Sequence, residues 1–226
     1  TWQNRIDRFI ALTEFAKEKF IQGGIPSEKI VVKPNFVFFD PGFMSHKDTY
    51  ALFIGRLSDE KGIITLLNAW KDIGTILLKI VGFGPLEKTI KNLIISKNMG
   101  TVEVLGQLSQ NDAIDLMKKA KFLLFPSTCY EGFPNTLVEA LACGLPVVTS
   151  NIGSMAEIIE DGVTGLHFES GNPVDLADKI KWLIENPDKS RHMGKNARKV
   201  FLEKYNAEKN YKILMNIYHQ AINEYH

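Results

Sequence analysis

Two apolar runs, Lys121-Phe122-Leu123-Leu124-Phe125 and Leu145-Pro146-Val147-Val148, bracket residues 130–146, which read Tyr-Glu-Gly-Phe-Pro-Asn-Thr-Leu-Val-Glu-Ala-Leu-Ala-Cys-Gly-Leu-Pro. The pattern predicts a strand, a loop, a helix and a second strand, with Glu131 on the loop and Glu139 in the first turns of the helix. A strand–helix–strand unit implies a right-handed crossover within a parallel sheet. Ligands of such sheets collect where strand C-termini meet helix N-termini. The backbone N–H groups of 133–137 are therefore expected to face a crevice that favours anions.

The same alternation extends on both sides of this unit. Strands are predicted at 50–54, 76–81, 102–105, 121–125, 146–149 and 166–168. Helices are predicted at 61–72, 86–97, 110–119, 135–143, 174–185, 189–204 and 207–224. The expected fold is α/β, a Rossmann-like parallel sheet flanked by helices. Ahead of it, Arg8-Phe9-Ile10-Ala11-Leu12 and Ile30-Val31-Val32 read as short strands around a helix that starts after Thr13 and stops at Gly23-Gly24. Residues 36–49, with Asp40-Pro41-Gly42 and no clean periodicity, form the candidate linker.

Glu131 and Glu139, separated by seven residues that include Gly-Phe-Pro, do not stand alone. Phe53-Ile54-Gly55-Arg56-Leu57 with Lys61-Gly62, Val81-Gly82-Phe83-Gly84-Pro85, and Val104-Leu105-Gly106 precede them in order. From about residue 10 onward this set resembles the retaining glycosyltransferases of the GT-B fold known as group 1 or GT4. The resemblance is to their C-terminal, donor-binding half. It divides the chain into a remnant of the N-terminal domain (1–35), the linker (36–49), a nucleotide-sugar-binding domain (50–205) and a closing helix (206–226) that packs back toward the N-terminal domain. On that reading the chain begins in the middle of a larger architecture.

The resemblance assigns roles that can be weighed against simpler readings. Arg56 and Lys61 would hold a diphosphate, the charge of the leaving group; otherwise Asp59-Glu60-Lys61 is a solvated turn. Glu139 would accept hydrogen bonds from the ribose hydroxyls, yet Thr136-Leu137-Val138-Glu139 also fits a capping box. Glu131 would sit by the donor sugar and serve positioning and electrostatics, against the usual fate of an exposed loop acid. Gly55, Gly82 and Gly84 border the donor crevice by resemblance, although Gly82-Phe83-Gly84 is equally a tight turn and Glu87 occupies the third glycine position of a dinucleotide fingerprint. Gln107 and Leu108 would cradle the base through their main chain, and Gly132, Phe133, Pro134, Asn135, Thr136 and Leu137 complete the donor-binding set.

The donor implied is a UDP- or GDP-linked sugar, with no cofactor and no metal required. The acceptor, a glycan, lipid or small molecule, would be held by the N-terminal domain. Composition narrows the alternatives. A formal net charge of +1 gives no electrostatic case for nucleic acid. His46, His167, His192, His219 and His226 lack metal-ligand spacing. Only Cys129 and Cys143 are present, which fits a reducing cytoplasm, with peripheral contact at the inner face of a membrane left open by the family's lipid-linked acceptors. Cys143 reads as a small helix-packing residue and Gly144 as the helix stop.

Two further readings stand beside the transferase: a non-catalytic nucleotide-sugar-binding subunit that needs a separate acceptor-binding partner, and a nicotinamide binder, disfavoured by the incomplete glycine fingerprint. Because donor and acceptor must be held together for transfer, this chain alone is expected to bind donor weakly and to turn over little or not at all. Robust sugar transfer by the purified 226-residue chain, followed by product formation from UDP- and GDP-sugars, is the result that contradicts this expectation.

Overall fold

The structure is a computed structural model that describes residues 5–44 and 49–223. The ends of the expected remnant (1–4) and closing helix (224–226), part of the linker (45–48), and with them His46 and His226, lie outside the described residues.

Six parallel strands form the main sheet: β3 (Tyr50–Ile54), β4 (Leu77–Val81), β5 (Val102–Gly106), β6 (Phe122–Phe125), β7 (Val147–Ser150) and β8 (Gly165–Phe168). Their spatial order is β5-β4-β3-β6-β7-β8. The central strands β3, β6 and β7 are buried on both faces, which explains their continuous apolar runs, whereas the edge strand β5 is only partly buried and carries the exposed Glu103. Ala51, Phe53, Phe122, Leu124 and Val148 pack on one side with α2 (Ile63–Trp70), α3 (Glu87–Ser96) and α7 (Pro173–Glu185). Tyr50, Leu52, Leu123, Phe125 and Val147 pack on the other with α4 (Gln110–Lys119), α5 (Asn135–Ala142) and α6 (Gly153–Ile158).

The chain winds outward from β3 through β4 to β5, then returns to β6 and winds the other way. β3 and β6 are therefore neighbours whose following connections leave in opposite directions, the arrangement that opens a crevice. Their pairing is brief: Ala51 meets Phe122 and Leu52 meets Leu123. By contrast, β3 and β4 pair along all of Tyr50–Ile54.

A separate two-stranded parallel sheet joins β1 (Phe9–Ala11) and β2 (Ile30–Val32) around α1 (Glu14–Gln22). This unit is fastened to the main domain at the N-terminus of α1. Thr13 Oγ1 accepts from Ala16 N at 3.0 Å, while the Glu157 carboxylate on α6 accepts from Glu14 N at 2.8 Å and Phe15 N at 2.9 Å. Phe15 also lies 4.9 Å from the Tyr130 ring. Burial and the nearby charge of Glu157 push the Tyr205 hydroxyl up to about 12.

Several expected boundaries shift for local reasons. Helix α2 starts at Ile63, because Asp59–Lys61 forms a 3-10 turn and Gly62 adopts φ 67°. The helix expected at 189–204 is α8 (Pro187–Val200), with Pro in its first turn where a missing N–H costs nothing, and it ends in a π turn at Phe201–Tyr205. Helix α6 was not expected at all. The linker is not a loose tether. Arg198 grips Asp40 through both carboxylate oxygens at 2.6 and 2.5 Å and donates to Ala142 O at 2.6 Å, and Val37 N donates to Tyr205 O at 3.2 Å. The closing helix α9 (Ala207–Asn223) touches the N-terminal segment, where Asn210 Nδ2 donates to Pro34 O at 2.6 Å.

Glu157→Ala removes the acceptor of two helix-end donors, a change of about 1 kcal/mol on the scale of N-cap losses. The expected outcome is a melting temperature lower by roughly two to four degrees, with faster amide exchange at Glu14 and Phe15. An unchanged melt and unchanged exchange would show that the cap contributes nothing.

Candidate functional site: a cleft at the sheet's switch point

Beyond Leu52 and Leu123 the strands part, and a cleft of about 150 Å³ opens at their C-terminal ends. Phe53, Ile54, Phe125 and Pro126 supply apolar walls, and Gly55, Arg56, Lys61, Ser127, Glu131, Pro134 and Thr136 line the rest. Two neighbouring cations and a carboxylate 70 positions beyond Lys61 thus share one small space.

Close backbone contacts create this convergence. A Cβ on Gly62 would overlap the Pro126 carbonyl oxygen, so only glycine lets the Asp59–Lys61 turn lie against the end of β6. Thr128 N completes that contact by donating to Glu60 O at 2.8 Å. Lys61 Nζ then reaches Glu131 Oε1 at 2.6 Å, with the lysine side chain 25% and the glutamate 15% exposed. The buried Ser127 hydroxyl lies 2.7 Å from the same Glu131 oxygen and 2.9 Å from Glu60 O, so its single proton is shared between them. Behind the loop, the buried Ser154 on α6 donates to Glu131 O at 2.7 Å.

Arg56 presents a different picture. Its guanidinium is exposed at the cleft and makes no hydrogen bond or ion pair among the described residues. The Ser58 hydroxyl first, and then the charges of Arg56 and Lys61 among smaller causes, hold the exposed Glu60 carboxyl below its usual range.

Helix α5 begins at Asn135 with Pro134 as its N-cap, no side-chain cap and no acid in its first turn. Its positive end therefore borders the cleft without a side-chain cap or an acid of its own first turn to neutralise it. This overturns the capping-box alternative for Glu139, since Thr136 lies inside the helix rather than at its cap. Glu139 instead accepts from Gln110 Nε2 at 3.2 Å, outside the cleft lining and next to the loop carrying Gln107 and Leu108. Burial raises its pKa, partly offset by the Gln110 bond.

The other candidates divide clearly. Gly55, Arg56, Lys61, Glu131, Pro134 and Thr136 meet in the cleft. Gly132 and Asn135 are exposed at its border, and Phe133 is half-buried with its ring 6.2 Å from Tyr205. Leu137 corrects the expectation: its side chain is fully buried in the core and its amide donates to Pro134 O at 3.0 Å, so it faces no crevice. Gly82 and Gly84 do not line the cleft. A Cβ on either would overlap the backbone of Gly55 or Leu57, so their smallness seats the β4–α3 loop against the Arg56 loop. Gln107 is exposed and Leu108 half-buried at the end of β5. His167, at 2.7 Å from Ile159 O, is engaged with backbone. Cys143 is buried at the C-cap of α5, ahead of Gly144. Among the described residues no group of His, Cys, Asp or Glu is arranged to hold a metal, and no helix is long and apolar enough to cross a membrane.

Sequence reasoning missed Ser127, Ser154 and Gln110. Ser127 follows β6 directly and could have been flagged by its place at a strand end. Ser154 could not, because its contact with the Glu131 backbone spans 23 positions and depends on an unforeseen helix.

An open parallel sheet with a charged cleft at its reversal point is the architecture of a doubly wound, Rossmann-like ligand-binding domain. The chain belongs to the family described as glycosyl transferases group 1, whose pattern it matches over residues 38–200. It is 38% identical to a glycosyltransferase of Methanocaldococcus jannaschii over 71% of this chain and 45% of that protein. Its fold is shared with HepE of Anabaena, solved in complex with UDP (TM-score 0.85, 24% identity, 93% of this chain and 63% of that one). TarM of S. aureus, solved with fondaparinux, α-GlcNAc-glycerol and UDP, superposes at a TM-score of 0.78 with 26% identity over 95% of this chain and 44% of its own. The chain spans about half the length of the curated relatives it matches.

A carboxyl whose folded pKa is raised contributes its full stability below the unfolded value, and that contribution is lost as pH rises through the folded one. At neutral pH Glu139 therefore carries the whole cost of burying its charge. Glu139→Gln keeps an acceptor for Gln110 without the charge. Thermal melts across pH should show the variant more stable than wild type at pH 7.5, with the advantage vanishing as pH falls below about 4.3. A variant equal to or weaker than wild type at pH 7.5 contradicts this account.

Proposed function

We propose that this chain is the donor-binding part of a GT4-type retaining glycosyltransferase that transfers a sugar from a nucleoside-diphosphate sugar to an acceptor. Arg56 and Lys61 hold the diphosphate, assisted by the free amides at the start of α5. Glu139 accepts hydrogen bonds from the ribose, and main-chain groups at Gln107 and Leu108 border the base. Glu131 faces the donor sugar. Its role is orientation and charge stabilisation at the reacting carbon, since Glu139 stays engaged with Gln110 and offers no second acid for glycosidase-style pairing.

The observation that carries this reading is the convergence of Arg56, Lys61 and the uncapped end of α5 in one cleft. That combination suits a pyrophosphate better than a neutral ligand. The UDP bound to TarM, a relative in structure at 26% identity, supports the same class of ligand. No metal is required in this scheme, because two side-chain cations neutralise the leaving group. The acceptor, a glycan, lipid or small molecule of a polysaccharide or glycoconjugate pathway, is held by the remainder of a GT-B enzyme. Ile10, Phe20, Ile21, Phe38 and Phe39, exposed on the N-terminal unit and linker, supply apolar surface for that contact. We place the enzyme in the cytoplasm, at or near the inner face of a membrane.

Isothermal titration of the chain with UDP and with GDP tests the reading. One of the two is expected to bind, and Arg56→Ala or Lys61→Ala to weaken it by about ten- to a hundredfold, the range of a charge-assisted hydrogen bond. Heats unchanged by the double substitution would remove the proposed site.

A further inference from the structure

Lys61 and Glu131 are assigned to opposite ends of one ligand, yet they bind each other at 2.6 Å. The pair is held from behind on both sides. Gly62 and the Thr128–Glu60 bond seat the lysine turn, while Ser127 and Ser154 hold the glutamate's carboxylate and carbonyl. Both serines are buried and both charged side chains are largely withdrawn from solvent, unlike the exposed pairs on the helices. Arg56, on the same cleft, makes no ion pair of this kind among the described residues.

We propose that Glu131 is a specificity residue that weights the cleft against the bare nucleoside diphosphate and in favour of the sugar-bearing donor. This rests on the reading that Arg56 and Lys61 bind a diphosphate. A phosphate arriving at Lys61 meets a carboxylate already within hydrogen-bond distance of the same ammonium, and like charges in a partly desolvated cleft repel. In the donor, sugar hydroxyls can donate to that carboxylate and offset the repulsion. The bare diphosphate has no hydroxyl there and carries an additional negative charge on its terminal phosphate. Glu131 thereby lowers product affinity relative to donor affinity, a form of discrimination by repulsion.

The test is calorimetric titration of the folded 226-residue chain, wild type and Glu131→Gln, with UDP, GDP and their glucose conjugates. For the nucleotide that wild type binds, the variant is expected to hold the free diphosphate about five- to tenfold tighter, the glucose conjugate no tighter. In a Lys61→Met background, where all diphosphate binding is weaker, the same substitution should tighten the diphosphate at least as much, because the carboxylate then faces the phosphate with no ammonium between them. Should the amide variant not melt cooperatively, Glu131→Ala is read in its place with the same expected direction. Wild type that binds while the variant fails to tighten overturns this inference alone, as does a gain that disappears in Lys61→Met. Wild type that binds neither nucleotide overturns the diphosphate reading as well.

Discussion

The parting of β3 and β6 after only two paired positions is the constraint on which the site depends. A parallel sheet gains from continuing its ladder, so strands that separate must satisfy their ends otherwise. Here Gly55 N, just past β3, donates to Val81 O of β4 at 3.1 Å, and Gly82 N, just past β4, donates to Gly106 O of β5 at 2.8 Å, so the ladder continues on the β4 side while it stops on the β6 side. The backbone is thereby satisfied on one side and the gap on the other is left to side chains. Reversal of winding at this point sends the two following loops apart and keeps the gap from being covered.

Small residues then decide how near the charged groups come. Gly62 against the Pro126 carbonyl, and Gly82 and Gly84 against Gly55 and Leu57, are contacts between backbones. They place Arg56 and Lys61 on one cleft by stacking three loops at distances a Cβ would forbid. The glycines of the 82–84 loop serve the site indirectly, through the position of the Arg56 loop.

A lysine and a glutamate brought together in a half-buried space are not neutral spectators. Desolvation makes each need the other, and Ser127 adds a hydrogen bond that keeps the glutamate from turning away. The charge of the cleft is thus graded: one cation without an internal partner at its mouth, one with a counter-ion deeper in, and a helix N-terminus beside them. The N-terminal unit enters the same arrangement, because α6 carries both Ser154, which holds the Glu131 loop, and Glu157, which caps α1.

Much of this was legible in the letters. Strands buried on both faces produce unbroken apolar runs, so the six strands and their parallel arrangement could be read from Tyr50 onward. The motifs around Arg56, Lys61 and Glu131 pointed to one edge of the sheet, since residues just beyond strand C-termini gather there, whereas Glu139 falls outside the cleft lining. What the sequence could not decide was set by contacts between distant segments. Thr136 and Glu139 have capping-box spacing, yet the helix already begins at Asn135, with Pro134 as its cap, and Glu139 turns to Gln110 instead. Leu137 and Thr136 are adjacent, and only packing turned one into the core and the other to the cleft. The pairing of Lys61 with Glu131, 70 residues apart, exists because Gly62 meets Pro126. Periodicity and motif order are local properties of a chain and survive in one dimension, whereas the partner of a charge is chosen by whichever backbone can approach it in three.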